Sequence, residues 1–109
     1  MYVRRFKNII AEREKTDDEW DAGVAKCNQA LIDVLCEDMD GTLQYLQSDC
    51  TADEFSWISE VFDEIALRSK SRDFINALRF LSAKYPEEAR KYNIIPFIDS
   101  AELQLDVQS

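Results

Sequence analysis

The chain has 109 residues, of which 46% are hydrophobic and 11% aromatic, a content too high for a disordered acidic chain and a length that suits one domain over residues 1–109. It carries 22 acidic and 13 basic residues, which gives a net charge of −9. This balance argues against binding to nucleic acid or to an anionic membrane, because both repel an acidic surface.

The acidic residues are concentrated in one part of the chain. The stretch from Asp17 to Glu64 contains 14 Asp or Glu residues and a single base, Lys26, and so has a net charge of −13. Residues 1–16 contain five bases and two acids, and residues 65–109 contain seven bases and six acids. Such an asymmetric field speeds encounter with basic molecules, so the charge pattern predicts a protein partner that is basic.

The cysteines and the N-terminal residues bear on the compartment. Cys27, Cys36 and Cys50 are odd in number and include no C-x-x-C pair, and the chain has no histidine to complete a mixed zinc site. The apolar run after Lys7 is too short for a signal-peptide core, and no run reaches membrane-spanning length. We therefore expect reduced thiols in a cytoplasmic protein that holds no metal and no cofactor.

The first half of the chain predicts three helices. Residues 1–15 form a basic helical segment, and the capping box from Thr16 to Glu19 opens a long helix that runs to about Glu37. Residues 38–42 break that helix, and a shorter one follows and ends near Asp49. The apolar face of the long helix consists of Trp20, Val24, Cys27, Leu31, Val34 and Leu35.

The second half predicts further helices of the same kind. Thr51 to Glu54 is a second capping box, and the helix that it opens runs from Ala52 to about Arg68. Ser71 can cap the next helix, Pro86 ends it, and residues 87–91 form another. Residues 96–109 form a short C-terminal helix and tail, and the apolar residues of that helix are Phe97, Ile98, Ala101 and Leu103.

These elements predict an all-α, compact single domain of about five to six helices, with Leu31, Phe62, Leu78 and Leu81 buried. A shift of 35 residues places Thr16 and Glu19 over Thr51 and Glu54. The chain is therefore either two stacked helix-pair repeats of about 35 residues or a generic antiparallel helical domain.

No pattern in the sequence points to a reaction. The chain lacks histidine, a G-x-S-x-G motif and a glycine-rich phosphate loop. The turn that contains Asp38, Asp40 and Gly41 resembles part of a calcium loop, but Cys36 and Gln47 occupy the first and twelfth ligand positions. We therefore predict no catalytic residues and no enzymatic activity.

Trp57 is the most informative side chain. It lies about 110° from the centre of the apolar stripe on a helical wheel, on the side of Glu60 and Glu64. A neighbouring helix could cover it, or it could be an exposed anchor on which a partner's arginine stacks while it pairs with the acids. The predicted partner-binding residues are Trp57, Glu60, Glu64, Asp17, Asp21, Asp33 and Glu37.

Across residues 51–101, the run from Phe55 to Ile65, the Phe74-x-x-x-Leu78 stripe, and the segments at residues 84–88 and 92–94 resemble small helical immunity proteins. Such proteins are encoded beside bacterial contact-dependent inhibition and other polymorphic toxins. The resemblance implies a cytoplasmic protein that binds one cognate toxin domain, often a basic nuclease, and neutralises it. The alternative function is a helical adaptor or regulatory subunit that scaffolds a larger assembly.

Overall fold

A computed structural model of the chain describes residues 3–15 and 21–106, apart from the side chains of Val3 and Asp21. Within these residues the protein is all-helical, with eight α-helices, one 3₁₀ turn and no strand, which confirms the predicted fold class. The α-helices are α1 (Val3–Lys15), α2 (Asp21–Glu37), α3 (Met39–Ser48), α4 (Ala52–Ile58), α5 (Phe62–Ser69), α6 (Arg72–Lys84), α7 (Pro86–Lys91) and α8 (Ile94–Gln104).

Two of the predicted helix starts are confirmed by their hydrogen bonds. The Thr51 hydroxyl accepts from the Glu54 backbone N–H at 3.1 Å, and the Glu54 carboxylate accepts from the Thr51 N–H at 3.3 Å. The Ser71 hydroxyl caps α6 by accepting from the N–H of Phe74 at 3.1 Å. The other predicted capping box, at residues 16–19, lies outside the described residues, as does Trp20.

The structure has more helices than predicted, partly because the segment from Ala52 to Ser69 is split. A 3₁₀ turn, Ser59–Val61, separates α4 from α5. The tighter turn changes the angular step between residues, so a single helical wheel does not describe this segment. The predicted break at residues 38–42 is shorter, since Asp38 caps α3 at once by accepting from the Gly41 N–H at 3.3 Å.

The C-terminal helix begins earlier than predicted. Asn93 adopts a left-handed conformation with φ 53° and ψ 49°, and α8 starts at the next residue, Ile94, rather than at Pro96. Pro96 is tolerated because it lies in the first turn, where backbone N–H groups have no partner within the helix. Of the four apolar residues named for this helix, Ile98 and Ala101 are buried, whereas Phe97 and Leu103 are exposed.

The core lies where α8 packs against α5 and α6 and where α3 packs against α6. All four residues predicted to be buried, Leu31, Phe62, Leu78 and Leu81, are fully buried. The basic N-terminal helix also contributes to the core, because α1 packs against α2 and buries Phe6 and Ile10. The ring of Phe6 meets that of Tyr45 edge-on, with 4.9 Å between centroids.

The helix contacts bear on the predicted repeat. α2 and α3 form one consecutive pair, and the split segment with α6 forms the next. α2 packs against α5, and α3 packs against α6, which is the pattern that two stacked pairs would produce. The repeat itself stays a prediction.

Candidate protein-binding site

Three bases of α1 form ion pairs with acids of the stretch between residues 17 and 64. The pairs are Arg5 with Glu37 at 3.2 Å, Lys7 with Glu54 at 2.7 Å, and Arg13 with Glu60 at 3.1 Å. The folded chain therefore brings its basic segment onto its acidic one, and part of the acidic charge is balanced internally.

Arg13 stacks on Trp57, where a partner's arginine was predicted to stack. Its guanidinium carbon lies 5.0 Å from the centre of the indole ring, and its Nη2 donates to both carboxylate oxygens of Glu60, at 3.1 and 3.3 Å. The Arg13 side chain is only 5% exposed. The combination of a stacked arginine and a carboxylate next to Trp57 is thus present, but the arginine belongs to the chain itself.

Trp57 is half-buried and packs against the core through one part of its side chain. A neighbouring helix, α1, covers part of Trp57, as one of the two alternatives predicted, and Trp57 also lines an open cleft. Its role as a partner-binding anchor stays a prediction. Removal of Trp57 should cost stability as well as any binding that the cleft provides.

Glu54 links α4, the helix of Trp57, to α1 and α3. It is buried, and its carboxylate accepts hydrogen bonds from the Tyr45 hydroxyl at 2.5 Å, from Lys7 Nζ at 2.7 Å and from the Thr51 N–H. Burial favours a higher pKa for Glu54, but these hydrogen bonds outweigh it and hold the pKa below its ordinary value. Burial, with Glu54 nearby, raises the pKa of Tyr45, so the pair is an ionised acid beside a neutral phenol.

Two predicted site residues are paired within the chain. The Asp33 carboxylate accepts from Arg68 Nη1 at 2.7 Å and from Gln29 Nε2 at 3.0 Å, and these hydrogen bonds lower the pKa of Asp33. Glu37 pairs with Arg5 in an exposed position. Both acids stay on the surface, but a partner would have to compete with an internal base for each.

The other predicted acids lie apart from these. Glu64 is exposed on α5 and does not line the cleft beside Trp57. Glu60 lies in the 3₁₀ turn and Glu64 in the helix that follows it, so the two acids do not follow one regular helical face. Asp17 is outside the described residues, and the side chain of Asp21 is as well.

The cleft beside Trp57 lies between α4 and the junction of α7 with α8, and it has a volume of about 270 Å³. It combines carboxylates with aromatic rings, which is unusual for an exposed surface. Its main lining residues are Asp53, Ser56, Trp57, Glu60, Tyr92 and Phe97. We refer to this set as the acidic aromatic cleft.

The two aromatic residues on the far side of the cleft are exposed. Tyr92 and Phe97 each have 46% of their surface accessible to solvent. They reach the cleft because Asn93, in its left-handed conformation, turns the chain between α7 and α8. The Lys91 ammonium lies 5.2 Å from the centre of the Tyr92 ring, so a second cation of the chain rests on an aromatic ring here.

Sequence reasoning found Trp57 and Glu60 but missed Asp53, Tyr92 and Phe97. Asp53 was interpreted only as part of a capping box, and Phe97 only as one of the apolar residues of the last helix. Asn93 is the signal in the sequence that could have indicated the turn, since asparagine adopts the left-handed conformation more readily than most residues.

Four acids of the stretch from residue 17 to residue 64 have no base or hydrogen-bond donor from another side chain among the residues that the structure describes. All four are exposed: Asp40 on α3, Asp49 between α3 and α4, Asp53 on α4, and Glu64 on α5. After internal pairing, the protein therefore still presents uncompensated acidic groups.

A larger hollow, of about 500 Å³, lies between α1 and α2. Its walls include Ile9, Gly23, Cys27 and Ala30, with Arg5 among the charged residues that line it.

The three cysteines form no disulfide, and burial raises the pKa of Cys50 to about 12, so that this thiol stays protonated.

Neither a metal-binding cluster nor a membrane-crossing helix is found among the described residues. No group of three or more Cys, Asp or Glu side chains there could hold a metal ion. None of the helices in residues 3–15 and 21–106 has both the length and the apolar character needed to cross a membrane.

The fold and the cleft define an all-α domain with an acidic, partly aromatic surface. Comparison with known proteins adds no relative: no protein-family model, no curated protein and no solved structure matches the chain.

Proposed function

We propose that this protein is an immunity protein, which binds and neutralises a basic toxin domain, in keeping with the family resemblance described above. The observation that supports it best is the acidic charge that is left over after folding. α1 balances three acids, yet Asp40, Asp49, Asp53 and Glu64 lack an internal base among the described residues. Uncompensated like charges destabilise a fold by self-repulsion, so their accumulation favours a role in attracting a partner.

The charge would act mainly on the rate of association. A basic toxin domain is drawn to an acidic surface over distances of about one Debye length, roughly 10 Å at 0.1 M salt. Steering of this kind raises association rate constants by about tenfold or more and weakens as the ionic strength rises. A toxin with a nuclease active site presents a basic, phosphate-binding face, which matches this surface in sign.

The experiment that tests the proposal begins with the adjacent gene, which should encode a toxin domain of basic composition. Co-expression should restore growth of cells that make the toxin, and the association rate constant should fall steeply with salt. A triple charge reversal of Asp40, Asp49 and Glu64 to lysine should lower that rate by about tenfold at low salt. These three positions are better suited than Asp33 and Glu37, whose reversal would also break internal ion pairs.

The matched control changes the net charge equally at exposed acids elsewhere. It reverses Glu14, Asp73 and Asp106, which lie outside the acidic stretch. If both triple variants bind at the same rate, only net charge matters and the acidic stretch is no binding surface. If the toxin domain is not bound by the unaltered protein, the immunity function is wrong.

An adaptor function is the second candidate, and a different observation favours it. Phe80 on α6 and Ile95 and Leu103 on α8 are large hydrophobic residues with 41–67% of their surface exposed. A protein that bridges two partners needs a second contact surface, and exposed apolar residues can supply one. An adaptor would bind its partners without restoring growth in the presence of a toxin.

A further inference from the structure

Two of the three aromatic residues that line the acidic aromatic cleft already carry a cation of the chain itself. Arg13 lies on Trp57, with 5.0 Å between the guanidinium carbon and the ring centre, and Lys91 lies on Tyr92 at 5.2 Å. The third aromatic residue, Phe97, carries neither a ring nor a cation of the described residues, and 46% of its surface is exposed. One aromatic position in the cleft is therefore open.

Of the two carboxylates that line the cleft, one is paired with a base of the described residues and the other is not. Both oxygens of Glu60 accept from Arg13. Asp53 lines the same cleft in the first turn of α4, is exposed, and has no base against it in the part of the chain that the structure describes. The cleft thus repeats, without its cation, the combination of an aromatic ring and a carboxylate that holds Arg13.

We propose that an arginine side chain of the basic partner enters this cleft, stacks on Phe97 and pairs with Asp53; this rests on the proposed function. Arginine suits the cleft because its planar guanidinium presents a face to a ring and N–H donors at its edge to a carboxylate. A lysine offers no planar face, and a quaternary ammonium offers no donor to Asp53.

The size of the cleft agrees with a single side chain. Its volume of about 270 Å³ lies below the range of roughly 300–1,000 Å³ that is usual for sites of drug-sized ligands. An arginine at this position would be the buried anchor of a larger contact, and arginine is among the residues that dominate binding energy at the centre of interfaces.

The first experiment needs no toxin. Three capped tripeptides, glycine–X–glycine with arginine, lysine or citrulline at X, are titrated into the full-length protein while the tryptophan indole N–H signals are followed by NMR. We expect the arginine peptide to shift the signal of Trp57. Citrulline has the same shape without the charge, and equal binding of the citrulline peptide would overturn the proposal, as would equal binding of tetramethylammonium.

The chain offers closely matched control variants. Phe97→Ala is compared with Phe80→Ala, since these phenylalanines are 46% and 48% exposed. Asp53→Asn is compared with Asp40→Asn, because each acid is exposed and lies in the first turn of its helix. We expect the two cleft variants to abolish the shift caused by the arginine peptide and the two controls to retain it.

The same four variants are then measured against the toxin domain. Phe97→Ala and Asp53→Asn should each raise the dissociation constant by about tenfold, whereas the controls should change it by less than about threefold. If charge reversal slows association but the cleft variants match their controls, the proposed function stands and the arginine site is wrong. If the peptide binds as expected but the toxin domain does not, the proposed function fails while the arginine preference of the cleft stands.

Discussion

Replacement of Arg13 by alanine should destabilise the protein, although the residue is charged and lies in a basic helix. Its side chain is 5% exposed, stacks on Trp57 and donates to Glu60. The stack is worth about 1 kcal/mol in a partly desolvated setting. The buried aliphatic stem adds about 1–1.5 kcal/mol. The ion pair adds about 0.5 kcal/mol, because Glu60 is 38% exposed and solvent screens the interaction.

Arg13→Ala should therefore lower the free energy of unfolding by about 3 kcal/mol, a large share of the 5–15 kcal/mol that is typical of a domain. Denaturant unfolding followed by far-UV circular dichroism measures this loss. Arg4→Ala is the control, since Arg4 is exposed on the same helix, and it should change the stability by less than about 0.5 kcal/mol. Arg13→Lys should fall between the two, because lysine keeps the charge but not the planar face.

A double-mutant cycle separates the contributions of Trp57 and Glu60. The coupling free energy of Arg13 with Trp57 should exceed its coupling with Glu60, for which we expect about 0.5 kcal/mol. If Arg13→Ala and Arg4→Ala have the same effect on stability, then Arg13 does not hold α1 in place. In that case Trp57 does not stabilise the fold through its stack with Arg13.

Three further predictions concern stability. Glu54 has a lowered pKa in the folded state, so the stability that its charge provides is present above its unfolded pKa and is lost as the pH falls through the folded value; Glu54→Gln should therefore flatten the fall in stability below about pH 4, as measured by unfolding at several pH values. Leu78→Ala should cost about 3 kcal/mol in denaturant unfolding, because the side chain is fully buried, and a cost below 1 kcal/mol would contradict that burial. Asn93→Ala should cost about 1 kcal/mol because of its left-handed conformation, whereas Asn93→Gly should leave the melting midpoint nearly unchanged.

The helices could be predicted from the sequence wherever local signals define them. The Thr51 capping box, the Ser71 cap and the proline at the start of α7 each depend on neighbouring residues, and all three were confirmed. The 3₁₀ turn at Ser59–Val61 could not be predicted in this way, because it contains no glycine or proline and packs against the distant helices α2 and α8.

The candidate site could be predicted only in part, for a related reason. Trp57 and Glu60 are three residues apart, so their proximity follows from helical spacing. Arg13 is 47 residues from Glu60, and Phe97 lines the same cleft as Trp57 although 40 residues separate them. Contacts of such sequence separation are set by tertiary packing, which local periodicity does not reveal.

The long-range attachment of α1 also has a consequence for the order of folding. The pairs Lys7 with Glu54 and Arg13 with Glu60 both join residues 47 positions apart. The packing of α1 on α2 joins neighbouring helices, whereas Glu54 and Glu60 reach α1 only when the chain folds back over 47 residues. These two ion pairs should therefore be among the last contacts of α1 to form, and substitutions at Arg13 should speed unfolding far more than they slow folding.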